Sequence, residues 1–334
     1  MRRCFFANCW AVALAAATFA FGQDRTGQEV NDTKTAEKLA REAFEEVFEI
    51  PDDAIVAVLE KNGMHGRFEV KVLLNRMPDG CFGTERKPTA WVKANGDVKL
   101  CVWRLDAPGK DLPEPSAIAQ AFIFGKKKDP DTAIVLIRRW LEANRERDDY
   151  SVHFDDAYAR LTWVYREAQR TDEMVETLES ELAKAKNPKA RYAIYQELAR
   201  WYASEKQIEK AVECWELARD SMKDGTHAWF VTRRALPFRE IGKLWLSVGK
   251  ENQAVKYLEA FRDTEYVKGT LEVETAELLG DIYERRKEWG KAAALYKSVL
   301  TYDPSRAASP QYVERLLDGF RARLQRLPDN KKTD

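Results

Sequence analysis

The sequence predicts an α+β protein, in which a small helix-plus-antiparallel-sheet domain is followed by an all-α array of paired helices. Two patterns lead to this prediction. Apolar and polar side chains alternate over residues 67–74, and again on both sides of a turn near residue 95, which is typical of half-buried antiparallel strands. From residue 116 to residue 326 the apolar side chains instead recur at helical spacing, in successive pairs of helices.

The first 22 residues are predicted to be a signal peptide. Arg2 and Arg3 precede an apolar run that extends to Phe21, and Gly22 is a small residue suited to cleavage. The alternative is a membrane anchor, but the run is marginal for a span of about 20 residues and no stop-transfer flank follows it. We therefore expect an exported protein, periplasmic or secreted, with no stable membrane insertion after signal removal.

Charge and cysteine content narrow the classes of partner. Lys plus Arg equals Asp plus Glu at 55 each, so no global field attracts nucleic acid or anionic lipid. Signal removal leaves the three cysteines Cys81, Cys101 and Cys214. Either Cys81 and Cys101 form a disulfide, or all three are small buried apolar residues. We expect no nucleic-acid partner, and the oligomeric state stays undetermined.

Residues 35–106 are predicted to form one helix and a four-stranded antiparallel sheet. Apolar residues recur at helical spacing from Thr35, and this helix ends before Pro51. A short apolar run at 54–59 and the alternating run at 67–74 are the first predicted strands.

The other two strands are predicted as a hairpin. The runs 89–94 and 97–105 flank Asn95-Gly96, and a two-residue Asn-Gly link between alternating runs is a strong hairpin signal. The order of a helix, strands and a Gly-containing hairpin resembles the PepSY-type domains of exported bacterial proteins. That resemblance implies a small regulatory or inhibitory binding module. Residues 107–115 are dense in Pro and Gly and are predicted to be a linker.

One stretch of the helical array carries a repeat pattern. Its marked positions are Leu279, Gly280, Tyr283, Ala292, Tyr296 and Pro304. In this order and spacing the stretch resembles a tetratricopeptide repeat, a pair of packed antiparallel helices. Small Gly280 and Ala292 would let the two helices approach closely, and Pro304 is predicted to end the second helix.

The pattern recurs in weaker form along the chain. The equivalent positions are Leu161, Leu198, Ile241 and Leu279, at separations of 37, 43 and 38 residues. These exceed the ideal repeat of about 34 residues, so insertions are expected, including a long connection through 225–237. Residues 116–124 and 131–144 are predicted as a degenerate first pair. A final helix that opens at Ser309-Pro310 would cap the array.

No pattern for catalysis, metal or cofactor binding is present. The histidines His65, His153 and His227 have no second ligand at metal-binding spacing, and no nucleophile elbow, zinc-protease or phosphate-loop motif occurs. We predict no catalytic residue, no metal and no cofactor.

The predicted binding surface comes from the repeat resemblance. In tetratricopeptide proteins the first helix of each pair lines a concave groove, which here selects Trp163, Arg166, Gln196, Arg200, Arg239, Lys243, Glu277, Asp281 and Glu284. The middle of this surface would be basic and its last repeat acidic. We expect a protein or peptide partner whose carboxylate meets Arg200, Arg239 and Lys243.

These inferences predict an exported, non-catalytic protein-interaction scaffold. One alternative is an envelope hydrolase with its site at the junction of the two domains, which perturbed carboxylates at that junction would favour. A second alternative is a structural subunit, which an exposed apolar patch on the terminal helix would favour.

Overall fold

The computed structural model describes residues 33–45, 56–62, 69–74, 81–83, 89–93, 98–123, 128–147, 152–224, 228–264, 269–307 and 309–328. The predicted signal peptide, the Asn95-Gly96 turn, His65 and His227 lie outside these ranges. The chain divides into two compact units, residues 1–183 and residues 184–334.

The first unit begins with the predicted helix-plus-antiparallel-sheet arrangement. Helix α1 spans Thr33–Glu45 and is followed by β1 (Val56–Asn62), β2 (Glu69–Leu74), β3 (Cys81–Gly83), β4 (Thr89–Lys93), β5 (Val98–Leu100) and β6 (Val102–Arg104). Strands β1, β2, β4 and β5 form one antiparallel sheet in that order, and β3 pairs with β6 in a second sheet.

The apolar stripe of α1 packs against the larger sheet. Leu39 and Phe44 on the helix and Val72 and Val92 on the strands are buried members of one core cluster. Leu39 and Phe44 belong to the helical spacing that predicted α1, and Val72 and Val92 belong to the alternating runs that predicted the strands. Both patterns arise because each element buries one face in this core. The PepSY-type resemblance of this region stays a prediction.

The hairpin pairs as the sequence predicts, but its second arm is divided. Val92 on β4 lies opposite Val98 on β5, so the described strands flank the predicted turn. The single predicted run at 97–105 is wrong, because it breaks at Cys101 into β5 and β6. The amide of Cys101 still donates to the carbonyl of Thr89 at 2.7 Å, whereas β6 pairs with β3, a short strand between the predicted runs 67–74 and 89–94.

The two strand cysteines are thiols and lie apart. Cys81 on β3 is opposite Arg104 on β6, whereas Cys101 lies three residues earlier along the chain. Three residues of extended chain span about 10 Å, beyond the Cα separation of about 7 Å that a disulfide tolerates. The structure therefore does not pair Cys81 with Cys101, and of the three cysteines only Cys214 is buried as the second interpretation requires.

Residues 107–115 contain a 3-10 turn at Gly109–Asp111. A Cβ on Gly109 would lie 2.3 Å from the carbonyl oxygen of Arg139, so this turn packs closely on the following helices. Arg139 also donates to the carbonyl of Leu105 at 2.8 Å. The domain boundary at this linker stays a prediction.

The rest of the chain is helical. The helices are α2 (Pro115–Ile123), α3 (Pro130–Asn144), α4 (Phe154–Glu167), α5 (Thr171–Lys184), α6 (Pro188–Ser204), α7 (Ile208–Ser221), α8 (Ala228–Ser247), α9 (Glu251–Arg262), α10 (Thr270–Arg285), α11 (Trp289–Val299) and α12 (Pro310–Arg326). Asn187 caps α6 by accepting a hydrogen bond from the amide of Lys189 at 2.8 Å. In the part of the chain that the structure describes, no helix has the length and apolar character needed to cross a membrane.

Four of the turns between consecutive helices share one backbone geometry. They join α4 to α5, α6 to α7, α8 to α9 and α10 to α11, and each places one residue in the left-handed region: Gln169, Lys206, Gly249 and Lys287. In every turn the next amide donates to the carbonyl five residues earlier, at 2.8–2.9 Å, which satisfies an otherwise unpaired helix terminus. The turn residues repeat the separations predicted from sequence, so the four helix pairs are equivalent units.

Two predicted helix ends are wrong. The connection through 225–237 is largely helical, because α8 begins at Ala228 and continues past Pro237. A proline removes one helical hydrogen bond without preventing the helix from continuing as a kinked element. Pro304 does not end α11, which stops at Val299, and it instead opens a 3-10 turn capped by Asp303.

Candidate functional site

The predicted surface residues lie on the first helices of the four equivalent pairs. Trp163 and Arg166 belong to α4 in the first unit, where Trp163 is half-buried and Arg166 is exposed. The other seven lie on α6, α8 and α10 in the second unit. Membership of Trp163 and Arg166 in a shared surface stays a prediction.

In the second unit a pocket of about 440 Å³ lies against α6, α7 and α8. Three of the predicted residues, Gln196, Arg200 and Lys243, line it together. The other lining residues are Ala203, Trp215, Arg233, Leu236, Glu240, Leu244 and Ser247. The structure therefore gathers the predicted basic residues of α6 and α8, with the exception of Arg239.

Arg200 is held at the pocket by its neighbours on α6. Its guanidinium donates to Glu197 at 2.5 Å, and the Glu197 side chain is only 3% exposed. With its amide oxygen toward Arg200, Gln196 accepts two hydrogen bonds at 3.1 and 3.2 Å. Half of the Arg200 side chain remains exposed, so the cation is both fixed in place and open to a ligand.

A chain of ion pairs connects α8 to α10. Lys243 donates to one oxygen of Glu240 at 3.0 Å, and Arg239 donates to the other at 2.8 Å. Arg239 also donates to Glu274 on α10 at 2.7 Å, and its side chain is only 13% exposed. Arg239 therefore links two first helices, whereas Lys243 faces the pocket.

Part of the remaining pocket wall is apolar. Trp215 on α7 is 5% exposed, and Leu236 and Leu244 on α8 are half-buried. Arg233 lies on the same helix, with its guanidinium 5.8 Å from the ring centre of Tyr192. A pocket that combines an apolar wall with a few fixed charges is suited to holding one short segment of a ligand.

The acidic end of the predicted surface is engaged by α12. Arg323 donates to Asp281 at 2.6 Å and to Glu284 at 2.8 Å, and Tyr296 donates to Glu284 at 2.5 Å. Burial acts to raise the pKa of Glu284, but the hydrogen bonds from Arg323 and Tyr296 outweigh it and hold that pKa below its usual value. Glu277 is exposed on the same helix. Two of the three predicted acidic groups, Asp281 and Glu284, are thus hydrogen-bonded to the capping helix α12.

Arg233, Leu236, Glu240 and Leu244 were not predicted as site residues. The first two were assigned to a connection that ended at Pro237, so that wall of the pocket was not foreseen. A signal was available, since Ala235, Phe238 and Ile241 keep helical spacing across the proline.

Metal-ligating side chains and perturbed carboxylates are the two features of the described residues that bear on the enzyme alternative. Within those ranges no group of three or more His, Cys, Asp and Glu side chains could hold a metal ion. Near the predicted domain junction, burial raises the pKa of Glu114 to about 7, with Asp156 acting in the same direction and Arg147 opposing it. Asp156 accepts a hydrogen bond from Arg160 at 3.1 Å. One carboxyl group with a raised pKa does not by itself define a catalytic pair, because burial and neighbouring charges also shift pKa values at structural positions.

Comparison with known proteins identifies the repeats. The sequence model of the tetratricopeptide repeat matches residues 157–192 and 275–308, which begin inside α4 and α10 and include all of α5 and α11. No curated protein sequence matches the chain.

Several solved structures match the chain, among them the following two. BtubC (BKLC) from P. vanneervenii is 15% identical, with a TM-score of 0.40 over 61% of this chain and 93% of that chain. A kinesin light chain protein from Podosopora anserina, with nearly identical TPR-like repeats, is 18% identical, with a TM-score of 0.40 over 66% of this chain and 99% of that chain.

Proposed function

Since the chain carries tetratricopeptide repeats, we propose that it is a non-catalytic scaffold that binds a segment of another protein in the pocket on α6, α7 and α8. Repeats of this kind stack helix pairs to present binding surfaces rather than reaction centres. The proposal is narrower than the surface predicted from sequence, because Asp281 and Glu284 are bonded to α12.

The pocket itself is the observation that supports this function most directly. Arg200 and Lys243 belong to different repeats, yet both line one cavity together with the indole of Trp215. Hydrogen bonds from a cation to a carboxylate are about twice as strong as neutral ones, and an apolar wall adds burial. A partner segment with a carboxylate beside an apolar residue would satisfy both parts of the pocket.

We also propose that the protein is exported to the periplasm or secreted. The support is the basic start at Arg2 and Arg3 and the apolar run to Phe21, both of which are features of the sequence. Amino-terminal sequencing of the protein from its native source should begin near Gln23. An intact amino terminus recovered from the cytoplasmic fraction would contradict export.

The binding function is tested by reversing the two pocket charges. The variant Arg200→Glu with Lys243→Glu should lose at least tenfold in partner recovery when the mature protein is used for affinity capture from the native cell envelope. The reason is that both cations would become repulsive to a carboxylate. Quantitative mass spectrometry of the captured proteins is the measurement.

A matched control uses Lys256→Glu with Lys297→Glu. These lysines are exposed on the second helices α9 and α11, and the change in net charge is the same. The control should capture the same partners as the wild type. Equal loss in both variants would show a net-charge effect, and unchanged capture by the pocket variant would refute the proposed site.

A further inference from the structure

Glu240 stands out because it is an acidic residue on the wall of an otherwise basic pocket. Arg200, Arg233 and Lys243 line the cavity with it, and Glu197 accepts a hydrogen bond from Arg200. Glu240 therefore places a negative charge where the carboxylate of a ligand would meet these cations.

The two side chains that donate hydrogen bonds to Glu240 differ in their solvent exposure. Arg239, which holds one oxygen, is 13% exposed and is fixed on its other side by Glu274. Lys243, which holds the other oxygen, is 45% exposed and has an unbranched, flexible side chain. Exposed ion pairs change an equilibrium by no more than about fivefold, so the bond to Lys243 is the one that a ligand can replace.

Building on the proposed function, we propose that Glu240 is a resident competitor for the partner's carboxylate. In the unbound protein it holds Lys243 in place. On binding, the partner's carboxylate takes Lys243, and Glu240 retains only Arg239. This exchange lowers the affinity for every anionic segment and leaves appreciable binding only for segments that also fill the apolar wall at Trp215, Leu236 and Leu244.

The direct test replaces Glu240 with Gln, which keeps the side-chain size and an oxygen that can accept from Arg239. The probe is an array of peptides in which a leucine is followed by a free carboxyl terminus, by an internal Asp or Glu, by an internal Lys, or by an amidated neutral end. Glu240→Gln should bind the carboxylate peptides about two- to fivefold more tightly than the wild type and should bind neutral peptides with unchanged affinity. The free-terminus and internal-acid arms show which source of carboxylate the pocket takes.

The control variant is Glu213→Gln, an exposed carboxylate on α7 that does not line the pocket. It should leave all affinities at the wild-type values, and circular dichroism checks that both variants are folded. A gain for neutral peptides equal to that for acidic ones would overturn the competitor role, because it would indicate a general loosening of α8. Weaker binding of basic peptides by Glu240→Gln, with no gain for acidic ones, would also overturn it, since Glu240 would then be a direct ligand contact.

This test separates the two proposals. If Arg200→Glu with Lys243→Glu abolishes binding of the acidic peptides but Glu240→Gln does not strengthen it, the pocket function stands and the competitor role fails. If the array shows no binding that depends on Arg200 and Lys243, the proposed function itself fails.

Discussion

A Cβ atom built on Gly280 would lie 2.4 Å from the hydroxyl oxygen of Tyr296 and 2.6 Å from the nearest ring carbon. Gly280 is on α10 and Tyr296 is on α11, so the glycine sets how closely the two helices of this repeat approach. Tyr296 is fully buried and its hydroxyl donates to Glu284 at 2.5 Å, so the ring has little room to move away. The close approach is thus a property of this residue pair.

Gly280→Ala is therefore expected to destabilise the protein although alanine is the better helix former. Overpacking a tight core costs about 1–3 kcal/mol, which exceeds the gain of about 0.5–1 kcal/mol from helix propensity. The free energy of unfolding, measured by denaturant titration, should fall by about 1–2 kcal/mol.

Gly319→Ala is the matched control for that substitution. Gly319 lies inside α12, and a Cβ there would meet nothing within 4 Å. The free energy of unfolding should rise by about 0.5–1 kcal/mol. Stabilisation by both substitutions would contradict the packing argument, because propensity alone would then account for them.

The repeat turns lead to a second prediction. Lys206 and Lys287 have φ near 59°, a region that costs a non-glycine residue about 1 kcal/mol, and both side chains are exposed. Lys206→Gly and Lys287→Gly should each raise the free energy of unfolding by a few tenths of a kcal/mol up to about 1, after the greater unfolded-state entropy of glycine is subtracted.

The same turn supplies the reverse experiment. Gly249 has φ of 72° and space around its Cβ, so Gly249→Ala should cost about 1 kcal/mol through the backbone alone. Lys256→Gly, in the middle of α9, checks that glycine is not stabilising at any exposed position and should cost about 1 kcal/mol. Destabilisation by Lys206→Gly would mean that the turns are not the shared element that they form in the structure.

The sequence predicts a structural feature well where the residue type itself restricts the local backbone or the local packing. Gly280 and Ala292 mark close helix contacts through their size, and the separations predicted for the repeats recur between the four turns. Lys206 carries no such mark, because its left-handed backbone follows from two helix ends and not from the residue. Pro237 predicts a helix end, but α8 continues through it. The pocket wall that α8 forms was therefore not predicted.

The strand register leads to a third prediction, on cysteine chemistry. Because Cys81 lies opposite Arg104 and not opposite Cys101, the mature protein should contain three thiols even after export to an oxidising compartment. In the folded protein a thiol reagent should modify Cys81 and Cys101, which are partly exposed, and should reach buried Cys214 only on unfolding. Intact-mass measurement after alkylation counts the modified groups.

Reductant provides the complementary measurement. The melting temperature should be the same with and without dithiothreitol, since no cross-link would be removed. A melting temperature that falls in reductant, with a mass two hydrogens lower before reduction, would contradict the register of β3 and β6 and restore the pairing of Cys81 with Cys101.

The fourth prediction concerns pH. Burial, assisted by Asp156, raises the pKa of Glu114 to about 7 in the folded protein, from an ordinary value near 4.5. Between these values the unfolded chain has lost the proton while the folded protein keeps it, so folding takes up a proton. The contribution of Glu114 to stability is therefore complete below about pH 4.5, declines as pH rises and is lost above about pH 7.

Glu114→Gln removes this dependence, because the side chain is then neutral in both states. The variant should be more stable than the wild type at pH 8 by on the order of 1 kcal/mol, after allowance for the partial exposure of Glu114, and the difference should vanish near pH 4.5. Glu146→Gln, at an exposed position after α3, should leave the slope of stability against pH unchanged. Parallel curves for Glu114→Gln and the wild type between pH 5 and pH 8 would show that Glu114 is ionised in the folded protein, and that neither its burial nor Asp156 perturbs it.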